Sequence, residues 1–170
     1  MSWTNLEDKV IVVTGGAAGI GLAVVKGFVE VGAKVMIADF SEEAGIRAVE
    51  EASSSGPGEA DFYKCDVSSK QNVDALIDKT VEKWGGVEAL VNNAGINVPR
   101  LLVDPAGKEE LTEEIWDKVF SVNVKGQFLC AQAAARQMLA SGKGGVLINI
   151  SSESGLELSL IHISEPTRRY

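Results

Sequence analysis

Apolar and polar positions along the chain fall into short apolar runs separated by longer stretches of helical periodicity. Residues 10–13 are all β-branched and predict a buried strand. A glycine cluster follows, and a helix is predicted over 19–31, with Ile20, Val24 and Phe28 four apart and expected to face a sheet. Gly32 closes that helix, and 34–38 reads as a second strand ending at Asp39. Ser41 is placed as the N-cap of a helix to about residue 52, with Glu42 and Glu43 in its first turn. A Ser/Gly/Pro loop leads to a short third strand at 61–64. Ser68 or Ser69 then caps a helix to Trp84 that carries Val73, Leu76, Ile77 and Thr80 on one face. A fourth strand is expected at 87–91, a long loop at 96–111, one long helix at 112–140 and a fifth strand at 146–150. On the long helix, Ile115, Trp116, Val119, Phe120, Asn123, Gln127 and Cys130 share a stripe. Strands alternating with helices imply right-handed crossovers and a doubly wound α/β parallel sheet covered on both faces.

Composition narrows the class of protein. The chain has 170 residues, 45% hydrophobic and 24% charged, which suits one globular domain. A net charge of −8 with scattered acidic residues argues against a nucleic-acid surface. The apolar runs are strand-sized, too short for a membrane span. The first eight residues have neither a basic nor an apolar signal region, so a cytoplasmic protein is expected. Cys65 and Cys130 stand apart, without metal-ligand spacing or a disulfide framework, and read as buried free thiols. With His162 the only histidine, a His-based triad or a metal site has almost no raw material.

Candidate chemistry gathers where strands end. Thr14-Gly15-Gly16-Ala17-Ala18-Gly19-Ile20-Gly21 links the first strand to the first helix. Gly15 permits a sharp turn, Gly19 lets backbone approach a phosphate, and Gly21 lets the helix pack closely. A helix N-terminus opened this way presents backbone N–H groups and a positive dipole end to a pyrophosphate. Asp39 lies 18 residues beyond Gly21, where a carboxylate can accept hydrogen bonds from a ribose and repel a 2′-phosphate; NAD is thus preferred to NADP. Asp66-Val67, Asn92-Asn93-Ala94-Gly95 and Ser151-Ser152 each follow a predicted strand, on the edge where open α/β sheets bind ligands. Any one of these could be turn chemistry alone. Asn123, an amide on an apolar stripe, calls for a hydrogen-bond partner, structural or functional.

Taken together and in this order, these motifs resemble the short-chain dehydrogenases/reductases up to about residue 157. The resemblance implies a Rossmann sheet binding NAD and hydride transfer between a carbonyl and an alcohol of a small molecule. It implies cofactor contacts from Gly15, Gly19, Ile20, Gly21, Asp39, Asp66, Val67, Asn93, Ala94 and Gly95, with Asp66 and Val67 holding the adenine. Ser152 would hydrogen-bond the substrate oxygen, and Asn123 would position a water chain that relays the proton. Asn97-Val98-Pro99-Arg100-Leu101-Leu102-Val103-Asp104 and Ser151-Ser152-Glu153-Ser154-Gly155-Leu156-Glu157 are similar to members acting on sugar phosphates, which would put Arg100 near a phosphate and Glu153 near hydroxyls, with a surface salt bridge or a loop-shaping contact as the alternative for each. The intact protein is expected to be a homo-oligomer.

The sequence also departs from that family. Its general acid/base is a tyrosine followed four residues later by a lysine, and no Tyr-x-x-x-Lys follows Ser152. A phenol works as a base at neutral pH only when a nearby cation stabilises the phenolate. Leu158 to Arg168 resembles the translation of a sequencing adapter. Residues 1–157 are therefore read as an incomplete NAD-binding domain, cut after the fifth strand and inactive as written, and 158–170 as a non-native tail. No role is given to His162, Glu165 or Tyr170. Two alternatives remain: a non-catalytic nucleotide-binding module, and a Rossmann-like methyltransferase, the latter disfavoured by Asn92-Asn93-Ala94-Gly95.

Overall fold

A computed structural model describes residues 5–152. Five parallel strands form one sheet in the order β3-β2-β1-β4-β5, with β1 Val10–Thr14, β2 Lys34–Asp39, β3 Glu59–Lys64, β4 Ala89–Asn92 and β5 Val146–Asn149. The helices are α1 Gly19–Glu30, α2 Glu42–Ser53, α3 Lys70–Trp84, α4 Glu113–Phe120 and α5 Gln127–Ser141. The doubly wound sheet is as expected; β3 begins two residues earlier and β4 two residues later than the apolar pattern suggests.

Period-two alternation divides the core between the two faces of the sheet. Ile11, Val13, Val35 and Ile37 point to one face, where Val25 and Val29 of α1 and Ala48 and Ala52 of α2 cover them. Val12, Met36, Ala38 and Leu90 point to the other, under Val73, Leu76 and Ile77 of α3 and Leu129, Cys130, Ala133 and Ala134 of α5. Each fully buried Val or Leu contributes about 2 kcal/mol of transfer free energy, so these two layers are the main source of cohesion. Both thiols lie in the second layer, and burial pushes each up to about 12, leaving them protonated and unreactive.

Helix ends follow the polar signals. Ser41 Oγ accepts from Ala44 N at 3.3 Å, Ser69 Oγ from Asn72 N at 3.4 Å, and Thr112 Oγ1 from Ile115 N at 3.4 Å. Gly85, at φ 82°, ends α3 in the left-handed conformation that a side chain would resist. Ser69 is thus the cap of α3, and all four residues predicted on its inner face are buried.

Two expectations need correction. The fully buried stripe of α1 is Gly21, Val25 and Val29, one position on from Ile20, Val24 and Phe28; Val24 and Phe28 still pack half-buried against the same core, whereas Ile20 is 70% exposed. The physical reason is Gly21: without a Cβ, that position allows the close approach, so the helix turns it inward. The single helix expected at 112–140 is three pieces, because a π turn, Ser121–Gly126, separates α4 from α5. An extra residue per turn breaks the predicted stripe. Ile115 and Val119 are half-buried, whereas Trp116 and Phe120 stay exposed and stack on each other with ring centroids 4.5 Å apart.

At the far edge, β5 pairs with β4 in register from Ala89↔Val146 to Asn92↔Asn149. Its side chains remain open, with Val146 55%, Leu147 41% and Ile148 40% exposed. At the opposite end of the molecule from the glycine turn, Glu88 ties the starts of β1 and β4 together. It accepts from Val10 N at 2.7 Å and pairs with Lys9 Nζ at 3.0 Å. Burial opposes its charge, but the Val10 N–H and the Lys9 ammonium together hold the carboxyl below its usual value.

Candidate cofactor site

The chain winds from β1 to β2 to β3 on one side, then crosses to β4 on the other side of β1. The carboxyl ends of β1 and β4 therefore part at the reversal, the place where open α/β sheets form a crevice. A cavity of about 460 Å³ opens there, within the range of small-ligand sites. Gly15, Asp39, Asp66, Val67, Ala94 and Gly95 from the predicted set line it. Phe40, Ile96, Lys118 and Val122 add walls that strand-end motifs did not point to.

The turn after β1 is built from close approaches. Gly15 has φ 64°, and a Cβ there would lie 2.8 Å from Ala94 Cα. At Gly21 a Cβ would collide with the Gly15 carbonyl and sit 2.6 Å from Asn93 Nδ2. Gly21, at the head of the inward stripe of α1, thus lets the helix start close against the turn and the β4 loop. Gly19, at φ 53°, has open space on its Cβ side. Unlike α2, α3 and α4, α1 has no side-chain cap, and unlike α2 and α4 it has no acidic residue in its first turn. Its N-terminal N–H groups therefore open toward that space without a capping side chain.

Asp39 braces the same turn. One carboxylate oxygen accepts from Ala17 N and the other from Ser41 N, each at 3.1 Å. A carboxylate has about four lone-pair sites, so both oxygens retain capacity for a ligand hydroxyl. Asp66 makes an Asx turn, accepting from Ser68 N at 2.9 Å and from Ser68 Oγ at 2.7 Å, which fixes the entry to α3.

Thr14 and Asn93 knit the two loops into one surface. Thr14 Oγ1 accepts from Asn93 N and Ala94 N, both at 3.1 Å, and donates to Val91 O at 3.4 Å. Asn93 Nδ2 donates to Thr14 O at 3.1 Å and to Gly15 O at 3.0 Å. Thr14 was part of the turn motif but had no assigned function; a hydroxyl at the last position of a β-branched run is the available signal. Asn92, 1% exposed, donates to Gln127 O at 3.2 Å and to Asn149 Oδ1 at 2.9 Å, joining β4 to α5 and β5.

Asn123 has the partner its position demanded. Its Oδ1 accepts from Ile96 N at 2.8 Å and its Nδ2 donates to Ile96 O at 2.9 Å, a two-point clamp on the loop after β4. Ile20 lies at the exposed start of α1. Ser152 lies exposed beyond β5, outside the cavity lining. Arg100 is exposed and donates to the neighbouring Pro99 carbonyl at 2.8 Å, a loop-shaping contact. Glu153 and the 158–170 tail are outside the described residues. Among the described residues, no group of three or more His, Cys, Asp or Glu could hold a metal, and no helix is long and apolar enough to cross a membrane.

Comparison with known proteins agrees with this architecture. The short chain dehydrogenase family profile matches residues 9–163. Sorbitol-6-phosphate 2-dehydrogenase of Klebsiella pneumoniae is 45% identical over 159 residues, 92% of this chain and 56% of that enzyme. Galactitol 2-dehydrogenase of Agrobacterium fabrum is 38% identical over 151 residues, 89% of this chain and 55% of that enzyme. Among solved structures, NAD+-bound xylitol dehydrogenase superposes with a TM-score of 0.81 at 29% identity, covering 92% of this chain and 57% of that one. A short chain dehydrogenase from Mycobacterium smegmatis gives 0.83 at 35% identity, covering 91% and 62%. The chain spans a little over half the length of the curated relatives it matches. With its sheet order, glycine turn and strand-end loops, it belongs to the short chain dehydrogenase family.

Proposed function

We propose that this chain is the NAD(H)-binding part of a dehydrogenase that interconverts a sugar-phosphate or polyol alcohol with its carbonyl, sorbitol 6-phosphate and fructose 6-phosphate being the favoured pair. The carrying observation is the joint construction of the cavity: an uncapped, glycine-opened helix beside a carboxylate at the end of β2. In this reading the α1 N-terminus, from Gly19 through Ile20 to Gly21, seats the pyrophosphate. Asp39 accepts from the adenosine ribose, Asp66 and Val67 hold the adenine, and Asn93, Ala94 and Gly95 line the path toward the nicotinamide. The residues fit such a group: open space at Gly19, spare acceptor capacity on Asp39 and a crevice of suitable size. When bound, the nicotinamide supplies the hydride chemistry.

Ser152 is assigned to hydrogen-bond the substrate oxygen. Asn123 is assigned a positioning role, holding Ile96 and, in the longer protein, a proton-relaying water. A tyrosine general acid with its lysine has no counterpart after Ser152 in these 170 residues, so turnover is assigned to the longer protein and cofactor binding to this part. The substrate class rests on the polyol and sugar-phosphate relatives.

Titration of the 170-residue chain with NADH and NADPH, read by nicotinamide fluorescence, tests the proposal. NADH is expected to bind at least tenfold more tightly than NADPH, because the Asp39 carboxylate opposes a 2′-phosphate. Asp39→Ala should weaken NADH about tenfold and close most of that gap, the size expected for lost charge-assisted hydrogen bonds. Absence of NADH binding, or an unchanged preference in the variant, would refute it.

A further inference from the structure

The π turn between α4 and α5 touches the cavity in three ways. Ser121 and Val122, its first two residues, are cavity wall. Asn123, the third, clamps Ile96, which is wall on the β4 side. Gly126, the last, is buried against Val67, which is wall on the β3 side. A Cβ on Gly126 would lie 2.8 Å from Val67 Cγ2 and 3.2 Å from Val67 Cβ, closer than such atoms pack. Neither side has slack. Val67 is 7% exposed. Its own carbonyl would stand 3.4 Å from the added carbon. A new methyl therefore requires either Val67, itself cavity wall, to shift, or the π turn that carries Val122 and the Asn123 clamp to lift.

We infer that Gly126 is a positioning residue: by lacking a side chain it lets the π turn seat against Val67, and this contact sets the gap in which the adenosine end of the cofactor is held. The inference rests on the NAD(H) reading above and adds to it a residue that touches no ligand. Within one π turn Asn123 reaches the β4 loop while Gly126 packs on Val67, so a single turn holds both walls.

The test uses ADP-ribose, which carries the adenosine and pyrophosphate without the nicotinamide, and calorimetric titration of the full 170-residue chain. Gly126→Ala should weaken ADP-ribose roughly tenfold, in line with overpacking at a tight contact. Removing the opposing methyls in the double variant Gly126→Ala/Val67→Ala should return affinity to within about threefold of Val67→Ala alone. A merely structural glycine would lower the melting temperature and leave the affinity of the folded fraction unchanged. Should Gly126→Ala not fold, Val67→Ile crowds the same contact from the other side and should weaken ADP-ribose binding by the folded fraction, beyond any loss of melting temperature. Parental affinity in Gly126→Ala or Val67→Ile, or no rescue in the double variant, overturns the inference alone. If the parent chain itself binds no ADP-ribose, the cofactor reading falls and takes the inference with it.

Discussion

At Thr14 a single buried oxygen atom joins the end of β1 to the loop after β4. Its Oγ1 receives two backbone N–H groups from the β4 loop and is 1% exposed with the rest of its side chain. Replacing it by valine keeps the volume and the β-branched shape while leaving the Asn93 and Ala94 amides without an acceptor. A buried donor stranded in this way costs about 1–3 kcal/mol. The loop is half-buried, so water can reach part of it, and the lower end of that range, about 1–1.5 kcal/mol, applies to each amide. Thr14→Val should therefore destabilise by about 2–3 kcal/mol. Thr14→Ser is the control: it keeps the oxygen and loses a buried methyl, worth about 1 kcal/mol. In urea, with a slope near 2 kcal/mol/M for a domain of this size, the valine variant's midpoint should fall by about 1–1.5 M and the serine variant's by about 0.5 M. Amide exchange at Asn93 and Ala94 should quicken in the valine variant only. Equal or smaller destabilisation by valine than by serine would refute the bridging role of the hydroxyl.

Two further outcomes follow from the described geometry. Glu88 has a lowered pKa, so its contribution is fully present above the ordinary carboxylate value of 4.5 and is lost as pH falls through the lowered one; Glu88→Gln should remove about 1 kcal/mol near pH 7 and flatten the urea midpoint between about pH 5 and 3, and an unchanged acid limb would contradict this. The open face of β5, together with Trp116, Phe120 and Phe128, predicts self-association of this 18.0 kDa chain. Sedimentation at tens of micromolar should show species above the monomer, and a strict monomer would count against it.

The order of strands and helices follows from apolar runs alternating with helical periodicity, because each element buries one well-defined face. The caps were readable for the same local reason: Ser41 and Ser69 need only the three residues after them. The departures from pattern occur where contacts between distant segments decide. On α1 the inward position is occupied by a glycine, which carries no hydrophobic signal, so the stripe was drawn one residue early. The π turn shifts phase by one residue within a continuous helical pattern, and only a mid-helix glycine, Gly126, hints at it. Asp39, Asp66, Val67, Ala94 and Gly95, which line one cavity, were legible as sharing an edge because strand ends in a parallel sheet lie together. Phe40, Lys118 and Val122 were not, since nothing local shows that α4 and its π turn close over that edge.

The bonds between Thr14 and Asn93 span 79 residues of chain. A polypeptide growing from its N-terminus completes β1, β2 and β3, with their two helices, well before β4 exists. During that interval the glycine turn has neither its Asn93 brace nor the Ala94 backbone that fills the space beside Gly15. Assembly of the ligand seat is therefore deferred until the second half docks, and it marks the moment when the two halves become one cooperative unit. A nucleotide that grips both loops then acts as a clasp across the seam, resisting separation of the halves more than fraying within either one.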